Sequence, residues 1–254
     1  MTENTSHWFN NDRPQGMGDN YNDQIIPGAS AGMTRYKALY VEAVENMSDP
    51  NIYYDINSAG YRCPPFEDID YDKVQIIIAG CSFTFGIGVS EDHCWPAILT
   101  KKFPDKFQVW NLGIPGASND TIVRTISAYL NYIKPAFIFL QWANPNRREY
   151  VTSDNYLKKI LSNHPRYQKD NSVPAKSFFN MQNKYFDQYC FEKNLMFMLY
   201  MTKAYKINFI WQELSMFPKL DTTRDEHHHG PKSHEEFANI MYKHYEKILG
   251  DHNK

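Results

Sequence analysis

Ser82 stands in "GCSFTFG", directly after the apolar run "VQIIIA". A serine hydroxyl attacks a carbonyl only when a base takes its proton, so the chemistry needs an imidazole and a group that orients it. "RDEHHHGPKSH" supplies both, with Asp225 three residues before His228. At that spacing a carboxylate can fix the imidazole tautomer and stabilise its charged form. A histidine with an ordinary pKa of about 6.5 is suited to moving protons at neutral pH. Charge gathering on the attacked carbonyl oxygen needs hydrogen-bond donors. Gly116 in "NLGIPGASND" can bring a backbone N–H close with no side chain in the way, and Asn144 in "QWANPNR" carries an amide donor. The bland alternative for Ser82 is a turn residue. Two phosphate-binding alternatives fit poorly. No lysine completes a G-x-x-x-x-G-K-[ST] loop, and Gly86 and Gly88 lack the third glycine of a dinucleotide turn.

Such residues meet only if the elements before them bring their ends together. "VQIIIAG", "QVWNLG", "AFIFLQW" and "INFIWQE" are short continuous apolar runs, as buried parallel strands are. Helix candidates lie between them. In "SNDTIVRTISAYLNYI", Ser118 or Asn119 can cap and Pro135 can stop the helix. A long Met- and aromatic-rich helix is expected from about Ser177 to Tyr205, with "NLMFMLYM" as core packing. The last helix is expected to open on a Ser233-x-x-Glu236 capping box, to bury Phe237, Ile240, Met241, Tyr245 and Ile248, and to end near Gly250. Alternating strands and helices imply an α/β fold with a central parallel sheet and helices on both faces, which binds ligands at the carboxyl ends of its strands. Each of the four candidate stretches follows or approaches such an end.

The remaining segments are less regular. Residues 1–33 are rich in Asn, Gly, Asp and Pro and are expected to form a polar arm. Residues 34–254 are expected to form one domain. "TRYKALYVEAVENM" has helical apolar spacing, and "NIYYDI" reads as a short strand. The stretch from Val151 to Ala175 is polar and contains Pro165 and Pro174, so an insertion or lid is expected there.

Taken in order, these stretches resemble the SGNH hydrolases, also called the GDSL esterase and lipase superfamily. "INSAGYR" followed by "IIIAGCSFTFGIGV" resembles the opening of family members, and "DEHHHGPKSH" resembles the closing D-x-x-H-P-G-P segment. The resemblance runs from about Asn57 to the last helix. It implies a three-layer, flavodoxin-like fold. Ser82 would be the nucleophile, with Asp225 and His228 completing the triad. The Ser82 N–H, Gly116 and Asn144 would form the oxyanion hole. There are departures. Cys81 stands where the family has Asp, His229 replaces a proline, and Trp142-Ala143-Asn144-Pro145 replaces G-x-N-D, which makes Asn146 the alternative to Asn144.

Composition bounds the partners. With 42% hydrophobic residues among 254, the chain can bury a sizeable core. The 27 Lys+Arg balance 29 Asp+Glu, which gives no reason to expect nucleic acid or an anionic membrane surface. Cys63, Cys81, Cys94 and Cys190 have neither zinc spacing nor a C-x-x-C pair, so free thiols are expected. Adjacent histidines such as His227 to His229 do not face one point, so no metal is expected, and no cofactor is implied. No apolar signal-peptide core or membrane-length run is seen, and a cytoplasmic setting is expected. The substrate is expected to be a small acyl ester, acetyl on a carbohydrate being favoured. An O-acyltransferase with the same triad and a non-catalytic glycan- or partner-binding protein are the alternatives. The oligomeric state is open.

Overall fold

The computed structural model describes residues 25–26, 32–37, 52–151, 157–161, 173–223 and 226–252. Three N-terminal strands, β1 (Ile25–Ile26), β2 (Met33–Lys37) and β3 (Tyr53–Asn57), pair antiparallel in a small sheet of their own. This corrects the helix expected from Thr34 onward. Met33–Lys37 is a strand, held by the full ladder to β3 and by a two-point ion pair from Arg35 to Asp55, at 2.7 and 2.6 Å. Five residues containing Thr and Tyr fit either period, and pairing with β3 decides between them. Residues 38–51 lie outside the described residues. On β3, Tyr54 and Ile56 bury their side chains with Ile52, Phe85 and Ile87 in a cluster separate from the main core.

The central sheet follows the sequence expectation. β4 (Val74–Ala79) runs into a four-residue helix, α1 (Ser82–Phe85), and α2 (Trp95–Thr100) leads to β5 (Phe107–Asn111). Next come α3 (Asn119–Ile133) and β6 (Phe137–Trp142). An antiparallel hairpin follows, β7 (Arg147–Val151) and β8 (Leu157–Leu161). The hairpin supplies sheet structure in part of the segment expected to be irregular. Then come α4 (Val173–Met181), α5 (Lys184–Tyr205), β9 (Asn208–Glu213) and α6 (Pro231–His252). The long helix expected from Ser177 is thus two helices, because Asn183 caps α5 by accepting the Tyr185 and Phe186 N–H groups at 3.0 Å each.

The parallel strands lie in the order β5-β4-β6-β9. Counted along the chain that is second, first, third, fourth, the flavodoxin-like order. Ile76, Ile77 and Ile78 are fully buried, as are Ile138, Phe139 and Leu140 beside them, because helices cover both faces. α2 and α6 pack together on one face, α3 and α5 on the other, which gives three layers. α3 is capped as expected. Ser118 Oγ accepts the Thr121 N–H at 3.1 Å, and Lys134 ends the helix in the left-handed region before Pro135.

Two expectations change. α6 begins at Pro231, so Ser233 lies inside its first turn. The Asp221 carboxylate, and no Ser233–Glu236 box, accepts the Lys232 and Ser233 N–H groups at 2.9 Å each. "NLMFMLYM" is only partly core. Asn194 and Met198 are buried, whereas Met196, Phe197, Leu199 and Tyr200 are exposed. No helix among the described residues is long and apolar enough to cross a membrane.

Candidate active site

The flavodoxin-like order has its switch point between β4 and β6, where the connections leave in opposite directions and a crevice opens at the carboxyl ends. Ser82 opens α1 one turn beyond β4, and the Asn144 loop leaves β6 beside it. Gly80 and Gly113 allow the close approach. A Cβ on Gly80 would meet Thr84 Oγ1 at 2.0 Å, and one on Gly113 would meet the Phe85 nitrogen at 2.4 Å.

The loop carrying Ser82 is strapped down from every side. From β5, Asn111 Nδ2 donates to the Thr84 carbonyl at 3.2 Å, and the Ile114 N–H donates to the Gly80 carbonyl at 3.0 Å. From β6, Gln141 Oε1 accepts from Cys81 Sγ at 3.4 Å and Thr84 Oγ1 at 3.3 Å. Cys81, where the resemblance leads one to expect Asp, is therefore a buried thiol bonded inward. Arg62, 1% exposed, donates to the carbonyls of Phe85, Gly86 and Val89 at 2.9–3.1 Å. Its Nε lies 2.6 Å from Glu91 Oε2, a close charge contact without an aligned hydrogen bond. Burial works against the Arg62 charge, but the Glu91 carboxylate outweighs it and the guanidinium pKa is raised. Tyr54 Oη accepts the Gly88 N–H at 2.7 Å. Ser82 itself is 6% exposed.

The two candidate oxyanion elements are joined to each other. Gly116 has φ +73°, a left-handed backbone that glycine adopts without strain. Three residues on, Asn119 donates to the Ala143 carbonyl at 3.2 Å and accepts the Ala143 N–H at 2.8 Å. Arg147 Nη1 donates to the Ala117 carbonyl at 3.3 Å. Arg148 reaches the Pro145 carbonyl and, at 2.9 Å, Asp187 of α5. Asn144 Oδ1 accepts the Asn146 N–H at 3.4 Å, an Asx-type turn.

The histidine loop meets this assembly from α6. The His228 ring lies 5.1 Å from that of Phe83, the residue after Ser82. Thr223 packs on Gly88, where a Cβ would come within 2.4 Å of the threonine methyl. His229 wedges between Phe83 and Phe217 at 4.9 and 5.1 Å, with Nδ1 buried and unpartnered. Burial, with Lys219 nearby, pushes its pKa down. His229 thus fills a structural place, and His228 is the half-buried neighbour facing the Ser82 loop. Asp225 lies outside the described residues. Among the described residues no group of three His, Cys, Asp or Glu side chains is placed to hold a metal ion.

The structure therefore gathers Ser82, Gly116, Asn144 and His228 at one end of the sheet. Sequence reasoning missed the residues that hold them: Arg62, Asn119 and Arg148. Asn119 was visible only as a possible helix cap, and Arg62 only inside "AGYR". None carries a local signal for bonds that span more than twenty positions.

No family model matches the chain, and no curated protein matches it. Solved structures do. The chain is similar to the psychrotrophic esterase EstA from Pseudoalteromonas sp. The identity is 12%, over 69% of this chain and 98% of that one, with a TM-score of 0.41. It is also similar to a member of the lipolytic protein G-D-S-L family from Veillonella parvula. There the identity is 15%, over 65% of this chain and 94% of that one, with a TM-score of 0.32.

Proposed function

We propose that this protein is a serine esterase that hydrolyses a small acyl ester, acetyl on a carbohydrate being the favoured substrate. The observation that carries the proposal is the convergence at the switch point. Ser82 sits on an immobilised turn, the Gly116 and Asn144 loops are locked to each other by Asn119, and an imidazole from the last loop lies beside Phe83.

Ser82 Oγ bonds to the ester carbonyl carbon while its proton passes to His228, and Asp225 holds the ring. The hydrogen bond between ring and hydroxyl tightens as the substrate binds, as catalytic hydrogen bonds often do. The negative carbonyl oxygen is met by the N–H groups of Ser82 and Gly116 and by the Asn144 amide. Collapse breaks the carbon–oxygen bond to the alcohol, which leaves with the proton from His228. Water, losing a proton to the same ring, then attacks the acyl-enzyme and releases the acid and free Ser82.

The test is turnover of small acetyl esters together with labelling by a serine-directed phosphonate. Ser82→Ala is expected to lose both, while Asn144→Ala slows turnover by about 10²–10³-fold and keeps labelling. Full activity in the Ser82 variant would end the proposal.

A further inference from the structure

We propose that the outward face of α5 is a self-association surface on which two copies of this chain pack antiparallel, helix against helix. α5 binds its own domain along one side only, through the buried stripe Cys190, Asn194, Met198 and Thr202. On the opposite side run Tyr185, Tyr189, Glu192, Met196, Leu199 and Lys203, at alternating steps of four and three residues. That is the period of a seam between two helices. All six are exposed, Tyr185 by 74%, Tyr189 by 64%, Met196 by 53% and Leu199 by 48%. Phe197 and Tyr200 flank the seam and are exposed as well. At 22 residues the helix is about 33 Å long, so the seam has room for several layers.

Charge chooses the occupant. Neither Glu192 nor Lys203 has an ion-pair partner among the described residues, whereas Lys193, on the inner flank, is paired with Asp120 at 3.2 Å. A two-fold axis crossing the helix between Phe197 and Met198 places Glu192 opposite Lys203 of the partner subunit. The same axis places Met196 opposite Leu199 of the partner subunit. Both pairings occur twice, as an isologous interface requires. Parallel packing would set Glu192 on Glu192 of the partner subunit and Lys203 on Lys203 of the partner subunit, both repulsive. One register thus satisfies the two central apolar layers and the two charged layers together, with Tyr185 and Tyr189 lying at the ends of the paired stretch.

The test is sedimentation equilibrium of the full chain at micromolar concentrations. The wild-type chain is expected to dimerise. Glu192→Lys is expected to weaken the dimer by at least about tenfold, and Glu192→Lys with Lys203→Glu to restore it. These positions are exposed, and an unchanged melting curve shows that the variants are folded. The native cysteines are all buried, so introduced thiols report cleanly. Glu192→Cys with Lys203→Cys is expected to cross-link two chains, and Glu192→Cys alone not to. A monomer throughout means that something other than a second copy covers this face, and it overturns the proposal. So does a dimer indifferent to the charge swaps, or cross-linking by Glu192→Cys alone.

Discussion

The loop from Cys81 to Val89 is gripped at its carbonyls by a buried arginine and at its flanks by strands from three directions. The loop from Asp221 to Gly230 is closed by Asp221, whose carbonyl accepts the Gly230 N–H and whose carboxylate accepts from α6, and by the Thr223 N–H bond to the His228 carbonyl. It touches the first through Phe83 and Gly88. Ser82, the proposed nucleophile, is therefore placed by the folded core, and the His228 imidazole by a strap. Damage to the first loop should be felt mainly as lost stability, and damage to the second mainly as lost turnover.

The largest expected effect is at Arg62. Arg62→Met keeps much of the apolar bulk but leaves the carbonyls of Phe85, Gly86 and Val89 buried without donors. Loss of one partner of a buried charged network costs about 3–5 kcal/mol, and urea unfolding should show it. Arg62→Lys should recover only a fraction, because an ammonium cannot reach three carbonyls and a carboxylate in one plane. Glu91→Gln should cost less than Arg62→Met, since the Glu91 side chain is 58% exposed and the three carbonyl bonds survive, although the buried guanidinium loses the carboxylate that offsets its burial. If Glu91→Gln proved as harmful as Arg62→Met, the grip on the loop would come from the ion pair and not from the carbonyl bonds.

The same contrast explains what could be read from the sequence. The parallel strands were legible because burial on both faces writes a continuous apolar run, and the location of Ser82, Gly116 and Asn144 beyond strand ends was legible because they follow such runs. β2 was misread because its apolar positions satisfy a helical period as well as an alternating one. The start of α6 was misplaced because Ser233 and Glu236 have capping-box spacing, while the true acceptor, Asp221, lies before an intervening loop. The outer half of α5 was misread because composition reports apolar residues without saying which side of a helix meets the core. Arg62 and Asn119 act over long sequence separations, which no local pattern encodes.

A second prediction concerns the floor beneath the histidine loop. His234 Nδ1 accepts the Trp95 N–H at 3.1 Å, a bond only the neutral ring can make. Burial, with His229 nearby, pushes its pKa down from 6.5 to about 3. The unfolded chain thus binds a proton that the folded chain refuses, so this contribution is complete above about pH 6.5 and declines toward pH 3. At about pH 5 the loss from His234 should be about 2 kcal/mol, and His229 is shifted in the same direction. Thermal melts from neutral to acid pH should show the decline, and His234→Gln should flatten it. An unchanged slope in that variant would mean that another group carries the acid sensitivity.

The smallest effect on stability should accompany a disproportionate effect on turnover. Asp221 accepts two N–H groups of α6 and the Ser233 hydroxyl, the last at 2.6 Å, and its carbonyl accepts the Gly230 N–H at 3.1 Å. Burial works to raise its carboxyl pKa, but the bonds from Ser233 and Lys232 outweigh it, and the group is held below the usual range. Asp221→Ala removes a helix cap worth about 1 kcal/mol. It also releases one end of the strap that presents His228, so kcat should fall by about tenfold or more while KM stays nearly constant. Asp221→Asn keeps an acceptor for one N–H and should lie between the two. Were kcat to be unchanged in Asp221→Ala, the Thr223 N–H bond to the His228 carbonyl, at 2.9 Å, and the Phe83 contact would suffice to position the imidazole, and the two loops would no longer differ in the way their hydrogen bonds imply.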